Sequence, residues 1–93
     1  MSLEPAAYVS SVQQGTITLA AGVGTNTATI SAVDTSKSVA LLRGVSTDVG
    51  LVTSGNYQCV HARITLTNST TVTATRSNTT GELVVSFAVI QFR

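Results

Sequence analysis

Charged side chains are scarce in this sequence of 93 residues. They make up 10% of it, against about 25% in ordinary soluble domains. Lys37, Arg43, Arg63, Arg76 and Arg93 are widely spaced. Nucleic-acid binding by counterion release needs several phosphates neutralised together, and no basic cluster offers that. Aromatic residues are limited to Tyr8, Tyr57, Phe87 and Phe92, and tryptophan is absent, so the stacking platform that single-stranded nucleic acid requires is missing as well. A single cysteine, Cys59, excludes an internal disulfide framework. No apolar run approaches the 18 or so residues of a membrane-spanning helix. The start of the chain, with Glu4 and Pro5, does not read as a signal peptide. Neither nucleic acid nor membrane is therefore expected as a partner.

The inventory of reactive side chains is equally poor. His61 and Cys59 alternate onto one face of an extended segment, but zinc wants three or four protein ligands and no second Cys/His pair exists. Their i, i+2 spacing of roughly 7 Å is too long for the hydrogen bond that would activate a thiol. The four acids, Glu4, Asp34, Asp48 and Glu82, are far apart in sequence; they read as solvated caps and turn residues, not as a hydrolytic pair or a calcium loop. Asn68-Ser69-Thr70 and Asn78-Thr79-Thr80 match the glycosylation pattern, and read more simply as turns. The expectation is a protein with no cofactor, no metal and no enzymatic activity.

Hydroxyls are abundant. Serine and threonine supply 27 residues, many alternating with aliphatic side chains at the period of two that marks strands. In Thr16-Ile17-Thr18-Leu19 and Thr25-Asn26-Thr27-Ala28-Thr29-Ile30 the hydroxyls take one face and the apolar side chains the other. The glycines of Ala21-Gly22-Val23-Gly24 suit a turn, which predicts a hairpin between these two runs. A short strand is predicted over Ser38 to Leu42. Arg43 to Asn56, punctuated by Gly44, Gly50 and Gly55, reads as a long loop with at most one short strand. Val60, Ala62, Ile64 and Leu66 make the apolar face of the next strand, Asn68-Ser69 a tight turn, Thr71 to Thr75 a further strand, and Ser77 to Gly81 another turn. A last strand runs from about Glu82 to Phe92. This spacing predicts a single all-β domain over residues 1–93, an antiparallel β-sandwich or small barrel of about 7–8 short strands, with residues 1–7 as a flexible N-terminal arm.

The last strand differs from the rest. Leu83, Val85, Phe87 and Val89 line one face, and Val84, Ala88, Ile90 and Phe92, interrupted by Ser86, line the other. A strand apolar on both faces lies between two layers or keeps one face for a partner. Val84, Ala88, Ile90 and Phe92 are therefore the candidate interface, unless the segment around Tyr8, Val9 and Val12 folds over them. Low charge and a net charge of +1 offer little repulsion against self-association, and Cys59 could form an intermolecular disulfide where copies meet.

Two stretches carry a resemblance. Gly15-Thr16-Ile17-Thr18-Leu19 followed by Thr27 to Ser38, and Ala62 to Arg76 leading into Glu82-Leu83-Val84-Val85-Ser86-Phe87, resemble small virion proteins of tailed bacteriophages. The resemblance implies a non-catalytic structural module located in the virion that decorates or stabilises a capsid, collar or tail. It implies many copies, a homo-oligomer with a trimer favoured, and other virion proteins as partners. It transfers no catalytic residue, and residues 43–57 lie outside it. The alternative is a carbohydrate or cell-surface binding module, for which Tyr57, beside Gly55 and Asn56, is the candidate recognition residue.

Overall fold

The computed structural model describes residues 8–47, 62–77, 79 and 81–93. Six strands form among them: β1 (Val9–Leu19), β2 (Thr25–Thr29), β3 (Ser38–Thr47), β4 (Arg63–Asn68), β5 (Thr71–Thr75) and β6 (Leu83–Phe92). A 3-10 turn, Thr35–Lys37, precedes β3. The strands assort into two three-stranded antiparallel sheets, β1-β6-β3 and β2-β5-β4, which do not close into a barrel.

Alternation decides what each sheet buries. Leu83, Val85, Phe87 and Val89 of β6 pair with Leu19, Ile17, Gly15 and Gln13 of β1, so one face of the first sheet collects most of the aliphatic bulk. Val72 and Ala74 of β5 do the same for the second sheet. Ile17, Leu19, Val33, Val72, Ala74, Leu83, Val85, Phe87 and Val89 make one buried cluster, with Ala28, Ile30, Ala40, Ala62, Ile64 and Leu66 packed against it. Both sheets thus share one core, and β6, central in its sheet, supplies the largest share of it.

Two expectations are corrected. β1 and β2 do not form a hairpin: β1 pairs with β6 and β2 with β5. The Ala20–Gly24 turn, closed by Val23 N–H donating to Ala20 O at 2.9 Å and using a positive φ at Gly22, instead carries the chain from one sheet to the other. Each run has its own apolar face, and crossing over lets both faces meet the same core. In addition, β3, predicted to end at Leu42, continues through Arg43 to Thr47, the start of the segment read as a long loop with at most one short strand. Gly44 and the polar residues around it weaken the pattern, yet pairing with β6 holds the segment extended, with an irregularity between Leu42 and Gly44 that leaves Arg43 out of register. The β4–β5 hairpin follows expectation: Asn68 Oδ1 accepts from Thr70 N–H at 2.9 Å and from its hydroxyl at 3.2 Å, the local bonding by which asparagine favours turns.

Candidate interface

The face of β1-β6-β3 turned away from the core is organised in rows. Ile90 lies between Val12 and Val39, Ala88 between Gln14 and Leu41, Ser86 between Thr16 and Gly44, and Val84 between Thr18 and Ser46. The end nearer the C-terminus is therefore aliphatic and the other end hydroxylic. Arg43 Nη1 donates to Gln14 Oε1. Because Arg43 leaves β3 and Gln14 belongs to β1, that side chain spans the sheet over β6 and marks the boundary between the two halves.

The four residues of the candidate interface fall on different parts of this face. Val84 is half-buried in the hydroxyl half. Ala88, at 7% exposure, is covered, in keeping with its place beneath the Arg43–Gln14 span. Ile90 is half-buried and Phe92 is 41% exposed, both in the aliphatic half. Three further residues complete that half: Val12, Val39 and Leu41, at 53%, 42% and 46% exposure. The alternation in Ser38 to Leu42 points to Val39 and Leu41, but only pairing with β6 puts them on the same side as Ile90. Residues 9–19 lie beside β6 as β1 and do not fold over its outer face, so the covering role considered for Val9 and Val12 is not realised. On the core-facing side of β3, Leu42 and Val45 also remain exposed, because β3 is an edge strand.

No protein-family model, curated protein or solved structure matches this chain. Its surfaces must be read from their own chemistry.

The outer face of the second sheet is a hydroxyl field. Thr27, Thr73 and Thr65 form one row and Thr25, Thr75 and Arg63 the next, and the hydroxyls of Thr67 and Thr73 bond each other. Such a surface holds water mainly through hydroxyls, with Arg63 the cation in these rows. No group of three or more His, Cys, Asp or Glu is arranged to hold a metal ion among the described residues. Asp34 caps the 3-10 turn: its Oδ1 accepts from the Ser36 hydroxyl at 2.6 Å and from Ser36 N–H at 2.9 Å. Those two bonds, aided by the charge of Lys37 and opposed by slight desolvation, hold its carboxyl below the ordinary value. Tyr57, Cys59, His61, Glu4, Asp48 and residues 1–7 lie outside the described residues, and so do the readings that rest on them.

One residue that sequence reasoning passes over is structural. Arg76 is buried at 5% exposure. Its Nε donates to Val23 O at 3.0 Å, and its Nη2 reaches Ala20 O at 3.0 Å, Gly81 O at 2.6 Å, Leu19 O at 3.3 Å and Thr79 O at 3.5 Å. The guanidinium gathers the carbonyls of the β1–β2 and β5–β6 connections, where the chain changes sheets. The visible signal is an arginine ending an alternating strand, Thr73-Ala74-Thr75-Arg76, just before a polar turn.

Proposed function

We propose that this chain is a non-catalytic structural subunit of the tailed-phage virion type, a β-sandwich that attaches to neighbouring subunits and stabilises a capsid, collar or tail. One observation carries the reading: the aliphatic half of the outer β1-β6-β3 face, where Val12, Val39, Leu41 and Phe92 stay exposed beside Ile90. Burying an aliphatic or aromatic side chain fully is worth about 1.5–3 kcal/mol, so covering even part of this patch favours association. The resemblance of residues 15–19, 27–38, 62–76 and 82–87 to virion proteins supplies the kind of assembly and favours a trimer. The hydroxyl-rich surroundings provide the polar, hydrogen-bonding rim that such contacts use. Repetition on a symmetric lattice would turn modest single contacts into firm attachment.

The test is reconstitution. Purified protein is added to particles that lack it, and sedimentation and thermal release of the genome are followed. The expected result is saturable binding that raises particle stability. Val12→Lys, at an exposed position, should abolish binding while leaving the subunit's own melting temperature unchanged. Absence of binding to any such particle, together with a specific signal on a glycan array, would replace this reading with a carbohydrate-binding one.

A further inference from the structure

The aliphatic half-face also says which neighbour it fits. We infer that it is a pairing site for a second copy of this chain, the two sheets packing outer face to outer face with their β6 strands antiparallel about a twofold axis through Ile90; this rests on the reading of the face as an interface and names its occupant.

The extent of the patch fits a small pair. A fully exposed aromatic side chain presents roughly 150–250 Å² and Val or Leu somewhat less, so the fractional exposures of Val12, Val39, Leu41 and Phe92, with the remainder of Ile90, leave about 350 Å² of apolar surface open. That lies within the range of about 300–600 Å² in which the largest patch of a monomer is often functional. Apposing two copies removes twice that area, and the rim formed by Gln14, Arg43 and the strand ends brings the total towards the ~1,200 Å² at which stable interfaces begin. The row Val12–Ile90–Val39 reaches across all three strands, so a twofold contact covers it whole in each copy. A threefold arrangement would divide the same row between two neighbours. The patch therefore favours a pair where the resemblance favours a trimer.

Charge chooses the direction of the axis. Arg43 is the cation that crosses the face, extending over β6 to Gln14. An axis parallel to β6 would lay the Arg43 side chains of the two copies over the same row, like charge against like. An axis across the strands through Ile90 reverses the partner instead, because the row two residues below Ile90 then meets the row two residues above it. Phe92 of each copy comes to lie over the Arg43–Gln14 span of the other, a guanidinium against an aromatic ring, which is attractive. Sheets stacked this way sit about 10 Å apart with strands within about 30°, and Val12 faces its own counterpart, as does Val39.

The full-length protein tests this by sedimentation and by cross-linking in a Cys59→Ser background. A concentration-dependent dimer is expected, weakened at least tenfold by Val39→Lys, with an unchanged melting temperature at a concentration where both proteins are monomeric showing that the exposed substitution leaves the fold intact. Val39→Cys and Val12→Cys should each cross-link to themselves with a short bis-maleimide. Purely monomeric or trimeric mass overturns the pairing, and so does cross-linking that appears only when the two cysteine variants are mixed, which would mean the parallel axis. A monomer that still binds particles would sink the pairing and leave the structural role standing; a dimer that binds none would do the reverse.

Discussion

A buried guanidinium is an expensive residue to keep, so Arg76 must do something a smaller side chain cannot. Its acceptors are main-chain carbonyls from two connections, at Leu19, Ala20, Val23, Thr79 and Gly81, and a planar fork with several fixed donors can serve them together. Arg76→Met should cost about 3 kcal/mol in urea unfolding, since it strands one buried and several part-buried carbonyls at once, and Arg76→Lys should recover less than half of that. A loss under 1 kcal/mol would show that the turns hold themselves. Asp34 makes a gentler claim. Its carboxyl is held low by the Ser36 hydroxyl and then by the Ser36 amide. A folded pKa below the unfolded one means the stabilisation is complete above the unfolded value and fades as pH falls through the folded value. NMR titration should place the Asp34 midpoint below the ordinary aspartate value, near 3.9, and Ser36→Ala should raise it; an unmoved midpoint would remove the cap from the account. Asp34 with Ser36 is legible in the sequence as a local bonding pattern. Arg76 is not, because its partners are main-chain atoms that only the fold assembles.

Among the strands, β6 is well described by the sequence as far as its core face goes, since Leu83, Val85, Phe87 and Val89 are the buried set. Its middle place in the sheet comes from pairing with β1 and β3, and no second layer among the described residues covers its other face. β4 and β5, joined by Asn68-Ser69, are legible for the same reason: turn chemistry and alternation agree. The β1–β2 connection is not, because Gly22 and Gly24 serve a crossing between sheets as well as they would serve a hairpin. Alternation states which face of each strand is apolar and is silent on which neighbour it pairs with. For β3 the reverse happens, since pairing to β6 imposes a strand on a weak local pattern, and the exposed Val39 and Leu41 acquire their significance only from that pairing. Gly15 shows how register creates a requirement invisible in the chain. It stands opposite Phe87, and a Cβ placed there would lie 2.9 Å from the tip of the ring. The ring is almost fully buried and has little room to give way. Gly15→Ala should therefore destabilise by about 1–3 kcal/mol through overpacking, despite the ordinary advantage of alanine over glycine in a strand interior. In a Phe87→Leu background the same substitution should cost measurably less. Equal costs in both backgrounds would mean that the ring is not what the glycine accommodates.

At the scale of the whole molecule, the division of labour between the two sheets is uneven. β1-β6-β3 contributes Ile17, Leu19, Leu83, Val85, Phe87 and Val89 to the buried cluster, whereas β2-β5-β4 contributes only Val72 and Ala74 in full. The second sheet has too little apolar surface of its own to stand apart from the first, because three short strands with an outer face of threonines can bury only one side. Side chains reinforce the dependence: the Gln13 amide, on β1, both donates to Ser31 O at 2.9 Å and accepts from Ser31 N–H at 2.8 Å, just beyond β2, while Asn26 of β2 donates to Thr18 O of β1 at 2.9 Å. A single core shared in this way should melt as a unit. Val72→Ala, in the smaller sheet, is expected to cost about 2–3 kcal/mol, from lost transfer energy and the cavity left behind, and to lower the transition of the whole chain. Calorimetry should give one peak whose van't Hoff and calorimetric enthalpies agree, in the wild type and in Val72→Ala alike, at a concentration low enough to keep the protein monomeric. Two transitions, with only the lower one moved by Val72→Ala, would mean that β1-β6-β3 survives alone. The outer face of that sheet would then have to be judged as the surface of a three-stranded unit and no longer as one side of a two-sheet domain.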